Sequence, residues 1–325
     1  MTTTVPVTAG VVAYNDARWL EASVTSLLAS KLPDGFAWDR VWVVVSPSDD
    51  GTLEIAESLA SRFREVEVVV EPERRGKAVA LREVLRRSTG RYLVLLNGDA
   101  RAEAGATAAL VEAAAGASGP VALMARPIPR GLVQTWFDGA ISLLWDLHHD
   151  FHEWLLESAH GSHISDEMML VSGIELSALP EGIITDGGFI GEWVRRHGGR
   201  IAYPADARVS INPPATLRDH LEQRSRIERG HRQFGRLAGH RADTVVREAL
   251  SDPGAMVRLV VHRARATPHG WRSLALLFLS ELLANALAGA ADFASRPVPF
   301  RWPRVAGRPP WADGRGGQPE ERPAF

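Results

Sequence analysis

Cysteine is absent from the 325 residues, which excludes disulfides, thiolate metal sites and cysteine nucleophiles and leaves the cytoplasm as the expected location. Lysine is nearly missing too: Lys31 and Lys77 are the only two, so arginine supplies almost all of the positive charge. With 37 basic against 39 acidic residues, there is no cationic surplus of the kind that wholesale nucleic-acid binding requires, and no nucleic-acid partner is expected. The opening "MTTTVPVTAG" has neither a basic region nor a long apolar run before Tyr14, so no signal peptide is expected. Long apolar runs are scarce until residues 273–294.

What is present is an alternation of two periods over the first 125 residues. "VPVTAGVVA" (5–13), "RVWVVV" (40–45), "VEVVV" (66–70) and "YLVLL" (92–96) have the composition of buried strands. Each is followed by helical spacing: "DARWLEASVTSLLAS", "GTLEIAESLASRF", Lys77 to Arg87, and Glu103 to Ala115. Four strand-helix units predict an α/β fold, a mostly parallel Rossmann-like sheet with helices on both faces. The polar turns "YND" (14–16), "SPSDDGT" (46–52), "EPERRGKA" (71–78) and "NGDA" (97–100) then fall along one sheet edge, where open α/β sheets bind ligands. Arg74, Arg75, Gly76 and Lys77 offer charge and close backbone approach to phosphate, and Asp99 can hold a hard divalent cation. Two of these residues have plainer readings: Asp50 with Gly51 and Thr52 is also a turn feeding a helix cap, and Lys77 is also a solvated first-turn residue, although a cation there wants a nearby anion.

In order and spacing, "AYN" (13–15), "SPSDDGT" (46–52), "GKAVAL" (76–81) and "NGD" (97–99) resemble the family-2 glycosyltransferases of the GT-A fold. The resemblance continues through "LPEGIITDGGFIGEWVRRHGGRIAYPADA" (179–207), similar to that family's acceptor region, and "QRSRIERGH" (223–231), similar to the "QRxRW" element of its membrane-associated members with Ile227 in place of tryptophan. It implies an inverting, hexosyl-type transfer from a nucleotide-diphosphate sugar to an acceptor hydroxyl on a small molecule, lipid or glycan. Mg2+ or Mn2+ would be held by Asp99, and Asp186 would be the general base. Donor and acceptor contacts would come from Ala13, Tyr14, Asn15, Ser46, Asp50, Arg75, Gly76, Lys77, Asn97, Gly98, Gln223, Arg224 and Arg226. Asn97 stands where the family has the first acid of its "DxD" element, and Ser46 where it has a base-reading acid. These departures motivate a non-catalytic sugar-nucleotide-binding alternative. A sugar-phosphate nucleotidyltransferase is the same-fold alternative, but "AYNDARW" is not the glycine-rich loop it needs. The plain reading of Asp186 is the N-terminus of a helix over "TDGGFIGEWV".

Beyond the sheet the chain changes character. "RDHLEQRSRIERGHRQFGR" (218–236) is a strongly basic helix in which Glu222–Arg226 and Glu228–Arg232 have i,i+4 spacing; Arg226 is the expected functional arginine and Arg232 an expected solvent-facing one. His148 and His152 share a helical face, a spacing also seen in metal pairs, and are expected to line a substrate or solvent surface instead. His231 is a weaker donor-phosphate candidate, and Glu167 carries no expected catalytic role. In "SLALLFLSELLANALAGAADFA" (273–294), Ser280, Glu281, Asn285 and Asp292 fall within one arc of roughly 140°, which predicts an amphipathic helix touching a membrane surface or a second copy, with its own catalytic domain as the plain alternative. The expected division is a nucleotide-sugar-binding half (1–125), an acceptor-binding and catalytic half (126–240), C-terminal helices (241–295) and a proline- and arginine-rich tail (296–325) with an extended or disordered chain. Membrane contact would put the protein at the inner face of the membrane.

Overall fold

Valines and leucines that alternate with nothing polar make strands buried on both faces, and such strands need helices above and below. The computed structural model describes residues 4–132, 135–157, 164–240, 253–267 and 269–297; the expected disorder of the tail lies almost wholly outside them. Strands β1 (Val5–Ala13), β2 (Phe36–Val45), β3 (Val66–Val70) and β4 (Tyr92–Asn97) alternate with α1 (Leu20–Leu28), α2 (Thr52–Arg62), α3 (Lys77–Arg87) and α4 (Ala106–Ala114). Later come the short β5 (Arg101–Ala102), β6 (Val121–Met124), β7 (Arg126–Pro129), α5 (Trp136–Glu157), β8 (Met168–Ser172), α6 (Asp186–Arg196), β9 (Arg200–Ala202), β10 (Arg208–Ile211), α7 (Leu217–Ala238), α8 (Pro253–Ala266) and α9 (Gly270–Phe293).

The main sheet has the order β3-β2-β1-β4-β8-β6-β9. β1 runs parallel to β2 and β4, and β2 to β3, whereas β8 lies antiparallel to both β4 and β6. A second sheet, β5-β10-β7, stands beside it. Leu20, Val24 and Leu27 of α1, Leu59 of α2 and Leu110 of α4 pack on one face. Leu81 and Val84 of α3, Ile190 of α6 and Phe234 of α7 close the other. The strand order reverses between β1 and β4, and the crevice at their C-terminal ends is the natural ligand position in such a sheet.

The C-terminal helix settles with the opposite side inward from a conventional amphipathic helix. Glu281 of α9 takes both arms of the Arg224 guanidinium, Asn285 and Asp292 receive Arg232, and Asp292 also receives Arg229. The apolar face is left outside: Trp271, Leu279, Leu283 and Leu287 are exposed. The helix packs on its own domain along α5 and α7, the plain alternative, through Leu277, Ala284 and Ala288 together with its polar arc. This corrects the expectation that Arg232 faces solvent. The spacing of α7 also resolves differently, with ion pairs at Arg218–Glu222 and Arg224–Glu228, because Arg226 turns toward the interior of the domain and Arg232 toward α9.

Candidate functional site

One cavity of about 950 Å3 gathers the sheet-edge loops, the start of α6, α7 and the C-terminal helices. Of the residues expected from the sequence, Ala13, Tyr14, Ser46, Gly76, Lys77, Asn97, Gly98, Asp99, Gln223, Arg224 and Arg226 line it. Asn15, Asp50, Arg75 and Asp186 do not.

The β1 and β2 loops hold each other. Asn15 exchanges hydrogen bonds with Asp49, donating from its amide and accepting from the Asp49 backbone N–H. Asp50 accepts from the backbone N–H of Thr52, from its hydroxyl and from the N–H of Ala17; the plainer reading of Asp50 as turn chemistry is therefore the observed one. Arg75 is drawn off to Glu181 at 2.7 Å. At the nucleotide edge the guanidinium of Arg74 lies 3.4 Å from the centre of the Tyr14 ring. The Ser46 hydroxyl donates to Glu71 at 2.5 Å. Burial pushes the Glu71 carboxyl up, with the Ser46 bond opposing. An acid therefore stands behind Ser46, contributed by the residue that follows β3.

Gly98 has no room for a side chain: a Cβ there would lie 2.6 Å from Oδ2 of Asp16 and 3.0 Å from the carbonyl of Val12. This close approach docks the β4 turn on the β1 loop and sets Asn97 and Asp99 beside the buried Asp16, which the motif reading did not single out. The Asn97 backbone N–H donates to the carbonyl of Glu167, which ties this turn to the start of β8.

The floor of the cavity is a charged cluster. Gly187, in the first turn of α6, faces the carbonyl of Ile164 so closely that a Cβ would come within 2.2 Å of it. That contact carries Asp166 to the α6 N-terminus. Lys77, first residue of α3, lies 2.7 Å from Asp166 and 3.1 Å from Asp186, so the helix-terminal cation has its anions. Burial alone would lower the Lys77 ammonium, but the two carboxylates hold it above the usual lysine range. Burial would raise Asp166, and the Lys77 charge overcomes this and holds it well below the carboxylate range. Asp186, only 1% exposed, is pushed well up by burial and by the Asp166 charge. Burial and the same charge bring Glu167 up to about 7. Burial pulls the Arg226 guanidinium down to about 9 against the pull of Asp166 and Asp186, which leaves it cationic at neutral pH. Asp186 stands behind the cavity wall built by Thr185, Gly187 and Gly188, and Asp166 is the acid of the pair that reaches the cavity.

On α7 and α5 the expected side chains are placed as follows. Arg224 is spoken for by Glu281 at 2.7 and 2.8 Å, which makes it a structural fork at the cavity wall. His231 lines the cavity but stands 3.9 Å from Glu228. On α5, His148 and His152 face each other through their Nε2 atoms at 3.1 Å, and His148 lines the cavity. Among the described residues the group with metal-ligand spacing is His149, Asp150 and Glu153; Arg263 forks onto both oxygens of that Asp150, and none of the three lines the cavity.

The sheet order, the crevice at the β1–β4 reversal and the loops that meet there define a GT-A-type α/β fold. Residues 8–151 match the model of the glycosyl transferase family 2, so the resemblance carried by the four N-terminal motifs is borne out. Glycosyltransferase AglE of Haloferax volcanii is 29% identical over 100 residues, 30% of this chain and 32% of that protein; the chain thus spans about a third of the length of this curated relative. The mannosyltransferase PcManGT of Pyrobaculum calidifontis, solved with GDP-Man and Mn2+, superposes with a TM-score of 0.51 at 21% identity, covering 91% of this chain and 81% of that one. TarS 1-349 of S. aureus superposes with a TM-score of 0.44 at 14% identity, over 90% of this chain and 91% of that one.

Proposed function

We propose that the protein is an inverting glycosyltransferase that moves a sugar, of the hexosyl type, from a nucleotide-diphosphate donor to an acceptor hydroxyl. The observation that carries this reading is the buried Lys77–Asp166–Asp186–Arg226 cluster on the floor of a cavity whose rim is the ligand edge of a GT-A sheet. The N-terminal half, residues 1–125, takes the nucleotide, with Tyr14, Arg74 and Ser46 at the base, and residues 126–240 bring the acceptor. The acceptor oxygen attacks the anomeric carbon from the face opposite the diphosphate, forming a C–O bond as the C–O bond to phosphate breaks. The nucleoside diphosphate leaves with the electron pair, and the hydroxyl proton passes to the Asp166–Asp186 pair. A hydroxyl is too weak a nucleophile to attack without such an acceptor. Asp166, ionised and reachable, orients the hydroxyl, and Asp186 behind it shares the proton. Lys77 and Arg226 supply the fixed positive charge that developing phosphate charge requires.

Asp99 and Asn97 offer hard oxygen donors at the crevice but only one negative charge, which fits a cation that shares its shell with phosphate oxygens. Mg2+ or Mn2+ held there would neutralise charge on the leaving diphosphate. The exposed apolar face of α9 supports peripheral contact with the inner face of the membrane. The test is release of nucleoside diphosphate from a panel of nucleotide sugars with Mn2+, with and without hydroxyl acceptors. Turnover of at least one donor is expected. Tight nucleotide binding without turnover of any donor in the panel would return the protein to the non-catalytic alternative.

A further inference from the structure

The cavity has two chemistries. The walls contributed by the sheet-edge loops and by α7 are mostly polar or charged, whereas α5, α8 and α9, beside His148, Glu281 and Asn285, contribute Leu144, Phe151, Val260, Leu274 and Leu277. A sugar nucleotide offers no apolar surface to match that second wall. Two residues connect it to the outside: Phe278 and Leu282 line the cavity, yet they are 62% and 53% exposed. One turn apart on α9, they belong at once to the cavity and to the outer apolar face that carries Leu279, Leu283 and Leu287. The apolar lining therefore does not end in a closed pocket. It passes over the edge of α9 and continues as surface. Exposed apolar side chains contiguous with a cavity mark a binding surface, and the polar side of the same helix is committed to Arg224, Arg229 and Arg232, so the helix has no route to bury that face by rotating.

Resting on the glycosyl-transfer reading, we propose that the acceptor is an amphiphile: its hydroxyl sits at Asp166, and its hydrocarbon chain runs along Leu274, Phe278 and Leu282 to the cavity mouth at the edge of α9. This occupant uses both walls and the opening between them.

The experiment compares n-decyl and n-butyl β-glucoside as probes, titrated calorimetrically below the micelle concentration into wild type, Phe278→Glu, Leu282→Glu, Leu279→Glu and Leu283→Glu. Burial of even part of the six extra methylenes predicts that the decyl probe binds wild type at least about thirty-fold more tightly than the butyl probe. Phe278→Glu and Leu282→Glu should remove tenfold or more of that preference, while Leu279→Glu and Leu283→Glu, exposed on the same helix but outside the cavity, should keep it. All four positions are exposed, and thermal unfolding checks each variant. Equal affinity for the two probes, or equal loss at all four positions, would overturn the proposal. A parallel titration of wild type with nucleoside diphosphates and Mn2+ separates the two readings: chain-selective binding without nucleotide binding sinks glycosyl transfer and leaves the apolar path standing.

Discussion

Arg224 and Glu281 form a two-pronged pair at 2.7 and 2.8 Å that joins α7 to α9 across 57 residues of sequence. Both side chains are largely withdrawn from water, so removing one leaves the other's charge poorly compensated. Glu281→Ala is expected to cost about 2–3 kcal/mol of unfolding free energy, toward the low end for broken buried pairs because neither group is fully enclosed. The double substitution Arg224→Met with Glu281→Leu should recover most of it. Chemical denaturation of the single and double variants measures both, and an unchanged single variant would mean that the pair contributes nothing net.

The floor of the cavity predicts two substitutions of similar consequence and different pH behaviour. Asp166→Asn and Asp186→Asn should each lower kcat by about a hundredfold or more, with nucleotide affinity within a few-fold of wild type. Asp186 is raised by burial and by Asp166, so wild-type kcat/KM should climb with pH above the usual carboxylate range. Asp166→Asn removes the charge that helps keep Asp186 protonated, and the acid limb of its residual activity should move to lower pH. An unmoved limb would separate the two carboxyls.

Asp99→Ala should abolish metal-dependent nucleotide binding. Asn97→Asp should tighten Mn2+ binding in the absence of nucleotide, because it adds the second charge that the turn lacks. Calorimetry with Mn2+, with and without a nucleoside diphosphate, reads both effects. Equal affinities in wild type and Asp99→Ala would remove the metal from this turn.

A stability prediction comes from Glu192 on α6. Burial would raise its carboxyl, but hydrogen bonds from Arg195, His240 and Arg196 hold it down to about 2. A carboxyl whose folded value is depressed stabilises the fold above its unfolded value of about 4.3 and loses that contribution as pH falls toward the folded value. Glu192→Gln should therefore cost about 1–2 kcal/mol at neutral pH, discounted for its half-exposed arginine partners, and progressively less between pH 4 and pH 2. A pH-independent difference would show that the charge is not what matters.

The outer face of α9 predicts binding to lipid vesicles. Leu279→Glu, Leu283→Glu and Leu287→Glu combined should reduce partitioning onto anionic vesicles at least tenfold, without loss of the cavity residues. Sedimentation of the wild type provides the alternative outcome: a dimer that the triple variant splits, with no vesicle binding in either, would assign the face to a second copy.

Strands and helices up to residue 115 were legible because each is a local signal. "VEVVV" is β3 residue for residue and Lys77–Arg87 is α3, since a buried strand and an amphipathic helix each write their period into adjacent positions. Asp166 was not legible. Its place beside Asp186 depends on Gly187 admitting the carbonyl of Ile164, a contact between segments that no spacing rule connects. The two-residue strand Arg101–Ala102 is too short to carry a period at all. The polar arc of α9 was visible in the sequence, but its direction was decided by arginines on α7, half a hundred residues earlier, and only the folded chain brings their charges opposite Glu281 and Asp292.

Fastening a helix by guanidinium–carboxylate pairs while its greasy side faces outward has a consequence for where the C-terminal region is most secure. Charge–charge attraction scales inversely with the dielectric constant of its surroundings, whereas the cost of exposing leucines and phenylalanine vanishes once hydrocarbon replaces water over them. Withdrawing water from the outer face therefore strengthens the rivets between α7 and α9 at the same moment that it relieves the exposed side chains. Salt, which screens ion pairs most where water reaches them, acts in the opposite sense. The contribution of these pairs is therefore expected to be smallest in concentrated aqueous salt and largest against an apolar boundary, the opposite of the leucine contacts that Leu277 makes with α5.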